Sequence, residues 1–185
     1  MTPRRIALVG PVASGKSTLA TAIAAHTGLR HVDLDDLFWG PQWTPVGASN
    51  FHAAVRHALA ATAWIADGNY GGDVAEILLE RAELTIWLDL PLRTCLPRLI
   101  RRSIRRAATG QELFAGNRET FRHLASRDSI LWWGPAHHHQ HRRRWAQRLH
   151  PLTAGGMSVL HLDQPAAVAP QLRAHGLLAP KEAGA

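Results

Sequence analysis

The residues best suited to chemistry stand near the start of the chain, where Gly10-Pro11-Val12-Ala13-Ser14-Gly15-Lys16-Ser17 has the spacing G-x-x-x-x-G-K-S. Glycines at both ends let the backbone curl so that successive N–H groups face one anion. The lysine reaches the β- and γ-phosphates, and the serine hydroxyl is a ligand for Mg²⁺. The chemistry implied is nucleoside triphosphate binding, with Gly10, Val12, Ala13, Ser14, Gly15, Lys16, Ser17 and Thr18 as the phosphate-contacting set and Lys16 also acting on the reacting group. Lys16 is one of two lysines, the other being Lys181.

A phosphate cradle needs partners to define its reaction. His31-Val32-Asp33-Leu34-Asp35-Asp36 ends a β-like run in acids, and a period of two places Asp33 and Asp35 on one side. Asp35 is read as the group that takes a proton from an acceptor hydroxyl, with Asp33 beside it on the substrate or metal-water side. A plainer role for one of them is to cap the segment that follows. Two later runs, Trp64 to Asp67 and Thr85 to Asp89, each end in an acid suited to a Walker-B-like magnesium contact. Asp67 is preferred, giving Ser17 and Asp67 as the metal set, because Asp89 lies just ahead of Pro91 and reads as a helix cap. Arg98, Arg101, Arg102, Arg105 and Arg106 share i, i+4 spacings, so guanidinium groups gather on a helix where they can neutralise a phosphoryl group in flight. His137, His138, His139 and His141 adjoin Arg142 to Arg144, whose charge repels a cation, so they read as a basic or substrate-closing stretch and not a metal site.

The elements that would position these groups alternate. Strands are expected at Arg5–Val9, His31–Leu34, Trp64–Ala66, Leu84–Leu88 and Met157–Leu162. Helices are expected from Gly15 to the Gly28 stop, over Ser49–Thr62 with Ser49 as N-cap, over Asp73–Arg81, after Pro91, and from Asp163 or Pro165. Five strands alternating with helices make a parallel sheet covered on both faces, hence an α/β fold. Two stretches break the rhythm: Phe38 to Ala48, an aromatic loop, and Ala107 to Asn117, which reads as the tip of a lid.

At 185 residues and 46% hydrophobic composition, the chain suits a single domain with a real core. Its net charge of +7 is concentrated: Arg93 to Arg148 holds 13 Arg and 3 acids. Such a field fits phosphate-bearing partners, either a small polyphosphate or a nucleic-acid backbone. A single cysteine, Cys95, excludes an intramolecular disulfide and a Cys-rich zinc site, and it reads as a small buried apolar residue. A lone cysteine suits a reducing, cytoplasmic setting; no apolar run approaches a signal-peptide core or a membrane span, so no membrane partner is expected, and the oligomeric state stays open.

Gly10 to Ser17, Leu34-Asp35-Asp36-Leu37-Phe38-Trp39 with Trp43, Asp67-Gly68-Asn69-Tyr70-Gly71, Ile86 to Pro91, and Glu119 through Arg144 together resemble the adenylate-kinase-related P-loop proteins called DNA topology modulation proteins. The resemblance implies a nucleotide-kinase-like P-loop NTPase with sheet order 2-3-1-4-5, an acceptor-binding insertion at about 34–62 and an arginine-rich lid at about 98–127. It also places Trp39, Trp43 and Arg56 in the acceptor region and makes Arg98 and Arg102 the paired, catalytic arginines that enter the lid; Asp33 and Asn69 join Trp39 and Arg56 as the expected substrate-binding residues. The chain departs from adenylate kinases at Asn69-Tyr70-Gly71, where they carry Phe-Pro-Arg. The expected function is Mg²⁺-dependent transfer of the γ-phosphoryl group of ATP to a small acceptor, a nucleoside or nucleotide. The alternative is an NTP-gated nucleic-acid-binding protein using the Arg93 to Arg148 segment.

Overall fold

The computed structural model describes residues 2–126 and 129–180. Arg127, the expected end of the lid, and Lys181 lie outside them. Five strands, β1 (Arg5–Val9), β2 (Arg30–Asp33), β3 (Trp64–Asp67), β4 (Leu84–Leu88) and β5 (Val159–Leu162), form one parallel sheet of order β2-β3-β1-β4-β5. Among the described residues, eight α-helices connect and cover them: α1 (Lys16–Thr27), α2 (Leu34–Phe38), α3 (Ala48–Ala58), α4 (Gly72–Arg81), α5 (Leu92–Thr109), α6 (Phe121–Leu124), α7 (Ile130–Ala154) and α8 (Pro165–Ala174).

Both faces of the sheet are buried, which is why its strands read as continuous apolar runs. Along β1, Ala7 and Val9 point to one face, where Phe51 and Val55 of α3, Leu78 of α4 and Trp145 and Leu149 of α7 complete a core. Ile6 and Leu8 point to the other, against Ile23 of α1, Cys95 of α5 and Leu172 of α8. Cys95 is a buried free thiol, as its surroundings in the sequence implied.

Register brings the acids together. Asp67 pairs with Leu8 on one side and Asp33 on the other, so both carboxylates emerge at the carboxyl edge beside the turn that leaves β1. This is where open α/β sheets bind ligands.

Several expected boundaries are corrected. The strand leading to the acids stops at Asp33 and a short helix begins, so Asp33 and Asp35 do not alternate along one strand. Asp33 is the N-cap of α2, accepting the Asp35 N–H at 2.9 Å. The helix expected over Ser49–Thr62 is α3, capped by Gly47 and not Ser49, and it ends at Ala58 because the chain must turn to feed β3. The 25-residue helix α7 was not expected at all; Gly134, Pro135 and Pro151 interrupt its apolar pattern, yet the helix runs through them. No helix among the described residues is long and apolar enough to cross a membrane.

Candidate active site

The phosphate loop owes its shape to specific backbone positions. Gly10 has φ +149°, and a Cβ there would lie 2.5 Å from the Leu88 carbonyl oxygen, so β1 and β4 can converge only on a glycine. Gly15 at φ +101° and Ala13 at φ +58° continue the curl, and a turn bond from Ser14 N–H to Pro11 O closes it at 3.2 Å. The first amides of α1 have no acceptors within the helix, so they and the loop offer N–H groups to an anion. Ser14 is 3% exposed and its Oγ has no hydrogen-bond partner among the described residues, which suits a loop built around phosphate oxygens. Lys16 Nζ donates to the carbonyls of Gly10 and Pro11, each at 3.0 Å, and burial holds its pKa below the usual lysine value against the pull of Asp67 and Asp35.

At the foot of the loop, Ser17 Oγ donates to Asp67 Oδ2 at 2.7 Å. The other oxygen, Oδ1, faces His31 Nε2 at 2.5 Å, and this hydrogen bond raises the His31 pKa. A hydroxyl and a carboxylate are hard oxygen donors, a set that fits Mg²⁺ directly or through water. Asp89, the competing acid, is occupied instead: both its oxygens meet Arg142, and Oδ2 also faces His161 at 3.1 Å. It is therefore neither the expected helix cap, which is Pro91, nor free for a metal. The sequence reading passed over His31; its one signal is register, since it pairs with Ile65, two residues short of Asp67.

Asp35 lies in the first turn of α2. Tyr70 Oη donates to its Oδ1 at 2.5 Å, leaving Oδ2 for another partner, and burial together with the Asp35 charge raises the tyrosine pKa so that the phenol keeps its proton. Burial and the nearby Asp67 and Asp35 push Asp33 up to about 7.

The remaining expected residues divide. Arg98 Nη1 donates to the Ser14 carbonyl at 3.2 Å, over the phosphate loop. Arg102 follows one turn later with an Nε that is buried and unpartnered among the described residues, and burial lowers its pKa. Arg106 pairs with Glu119 at 3.2 Å. Arg98, Arg102 and Arg106 thus share one face of α5, Arg98 exposed over the phosphate loop and the other two half-buried, whereas Arg101 and Arg105 face outward beside Ile100 and Ile104. The arginines of the 93–148 segment do not make one surface, since Arg106 and Arg142 pair internally with Glu119 and Asp89. Trp39 packs edge-on against Trp43 in the loop after α2. Asn69 is spoken for by α7: its Oδ1 accepts from Trp145 Nε1 at 2.9 Å and its Nδ2 meets His141 Nδ1. Arg56 is not brought to the site. It is exposed in the last turn of α3, and its carbonyl accepts from Arg81 in the last turn of α4, at the opposite edge of the sheet.

Two segments the sequence left separate are tied together by Asn117. Its Oδ1 accepts the Trp43 N–H at 2.9 Å, and its Nδ2 donates to the carbonyls of Gly40 at 2.8 Å and Phe114 at 2.7 Å. The aromatic loop and the lid tip meet there, with Trp43 stacked on His123. Helix α7 spans the same edge. Gly134 lies against Val12, His138 Nε2 bonds the Leu90 carbonyl at 3.0 Å, and Arg142 holds Asp89. Among the described residues no group of three or more His, Cys, Asp or Glu is placed to hold a metal.

No protein-family model matches the chain, and no curated protein matches it in sequence. Solved structures do match in shape. A gluconokinase from Sinorhizobium meliloti 1021 superposes with a TM-score of 0.56 at 18% identity, over 95% of this chain and 92% of its own. A shikimate kinase from Acinetobacter baumannii, in complex with shikimate, superposes with a TM-score of 0.51 at 17% identity, over 95% of this chain and 93% of its own. Together with the sheet order and the loop between β1 and α1, these likenesses show that the chain has the P-loop kinase fold.

Proposed function

We propose that this chain is an ATP-dependent phosphotransferase that moves the γ-phosphoryl group to a hydroxyl of a small acceptor. The observation that carries it is the Ser17–Asp67 pair at the foot of the phosphate loop, which joins the residue types that manage a metal-bound triphosphate. The loop amides and Lys16 hold the phosphates, with Arg98 above them. Mg²⁺, held by Ser17 and Asp67, would neutralise charge shared by the β- and γ-oxygens. Asp35 accepts the proton of the acceptor hydroxyl through Oδ2. The acceptor oxygen bonds to the γ-phosphorus as the bridging bond to ADP breaks, and Arg98 and Arg102 offset the charge on the equatorial oxygens. Closing the lid over the aromatic loop, the contact Asn117 makes, excludes water that would otherwise hydrolyse ATP.

The acceptor class is a small polyhydroxyl compound. Nucleosides and nucleotides belong to it, and so do the hydroxy acids named in the two matching kinases, gluconate and shikimate. The test is transfer from labelled MgATP to a panel of these compounds. Lys16→Ala is expected to abolish transfer, and Asp35→Asn to lower kcat by about 10²–10⁴-fold while ATP still binds. Transfer surviving Lys16→Ala, or hydrolysis indifferent to every acceptor, overturns the reading.

A further inference from the structure

Beside Tyr70, between the β3–α4 turn and α7, lies a cleft of about 410 Å³, walled by Tyr70, the Gly71–Gly72 backbone, His141, Arg144 and Arg148. That volume is in the range of small-molecule sites, roughly 300–1,000 Å³. Nothing in the reaction proposed above uses it, although Tyr70 connects it to Asp35 through the Tyr70–Asp35 hydrogen bond.

The polar character of the cleft follows from a chain of bonds with one solution. An indole N–H can only donate, so the bond from Trp145 Nε1 fixes the Asn69 oxygen on that side. The Asn69 amide nitrogen must then face His141 Nδ1, and an amide N–H only donates, so Nδ1 is the acceptor. The ring proton of neutral His141 therefore sits on Nε2, which has no acceptor among the described residues. Burial, reinforced by the charge of Arg144, pushes His141 down to about 4, so the ring is neutral at physiological pH. Arg144 is exposed and makes no ion pair among the described residues. Arg148 has only a long contact, 3.7 Å, to the exposed Glu76. Three groups that donate and cannot accept thus line one cleft, and no carboxylate is among the residues that line it.

We propose that this cleft binds an anionic group of the phosphoryl acceptor, a carboxylate or a phosphate monoester, through Arg144, Arg148 and the Nε2–H of His141, so that the substrate is an anion-bearing hydroxyl compound. The inference rests on the phosphotransferase reading and narrows its substrate class. Arginine forks suit planar or tetrahedral oxyanions, and a neutral histidine adds a directed donor. Two charge-assisted contacts correspond to about a 10–100-fold preference over an uncharged analogue.

The experiment uses matched pairs differing in charge: gluconate and sorbitol, glycerol 3-phosphate and glycerol, a nucleoside 5′-monophosphate and its nucleoside. Binding is measured by calorimetry with a non-hydrolysable ATP analogue and MgCl₂ present, and transfer is measured with MgATP. At least one anionic member is expected to bind about tenfold or more tightly than its neutral partner. The carboxylate and phosphate arms tell the two anions apart. Arg144→Gln with Arg148→Gln should erase that preference, and His141→Phe should raise KM with little change in kcat. Lys16→Ala should keep it while losing transfer. Equal binding within every pair, no binding of any member, or a preference untouched by the double substitution overturns the inference. A preference that persists where no pair shows transfer sinks the phosphotransferase reading instead and leaves the anion site standing.

Discussion

Asp33 gives one carboxylate oxygen to the Asp35 N–H, and burial beside Asp67 and Asp35 pushes its pKa up to about 7 from 3.8. The native state therefore holds a proton that the unfolded chain releases, and stability falls as pH rises through that window. Asn in place of Asp keeps the capping oxygen and removes the charge. Asp33→Asn is expected to raise Tm by roughly 2–4 °C at pH 8, a gain that shrinks as pH falls from about 7 toward 3.8. Differential scanning calorimetry across pH checks this, and a gain independent of pH would remove the charge from the explanation. Asp35, two residues on, is in a different position: Tyr70 bonds one oxygen, and the other is the one proposed to meet the acceptor. Spacing alone made the pair look equivalent; the start of a helix separates their roles.

At the level of elements, the junction that sets Asp35 in place is the packing of the β3 end on the start of α2. A Cβ on Gly68 would come within 2.8 Å of Leu34 Cδ1 and 2.9 Å of its Cβ, so only a glycine lets these two elements close. Gly68→Ala is expected to cost about 1–3 kcal/mol and to lower kcat as α2 is pushed off with Asp35. Urea unfolding and steady-state kinetics would show both, and a variant of unchanged stability and rate would mean the contact is slack. The parallel sheet was legible because buried strands such as Arg5–Val9 and Leu84–Leu88 are short apolar runs between turn residues. The phosphate loop was legible because its geometry is local. Helix α7 was not: its apolar contacts fall at Trp145 and Leu149 amid His and Arg, and it follows no apolar period. With α7 went the Asn69 and His141 contacts and the partner of Asp89, all long-range pairings that leave no trace in spacing. Arg56 failed for the converse reason, since an arginine near the right place in the chain sits at the wrong end of its helix.

For the whole molecule, the parts proposed to contact nucleotide and acceptor are held by one sheet edge, with α5 and α7 rising over it, Arg98 reaching Ser14 and Gly134 against Val12. The segment from α5 to α6 returns to the aromatic loop through the buried side chain of Asn117, 6% exposed, and through the Trp43–His123 stack. Because that residue bonds Trp43 and Gly40 on one segment and Phe114 on the other, neither segment changes position without the other registering it. Substrate affinities then cease to be independent quantities. Whatever factor ATP contributes to acceptor affinity, the acceptor returns to ATP by thermodynamic reciprocity. Asn117→Ala should bring that factor toward one, with each ligand binding alone about as well as before and the two no longer cooperating. Calorimetric titration of each ligand with and without the other reads it directly, and cooperativity undiminished in the variant would place the link elsewhere. If cooperativity is lost in the variant instead, the synergy between two substrates depends on one carboxamide that joins two loops.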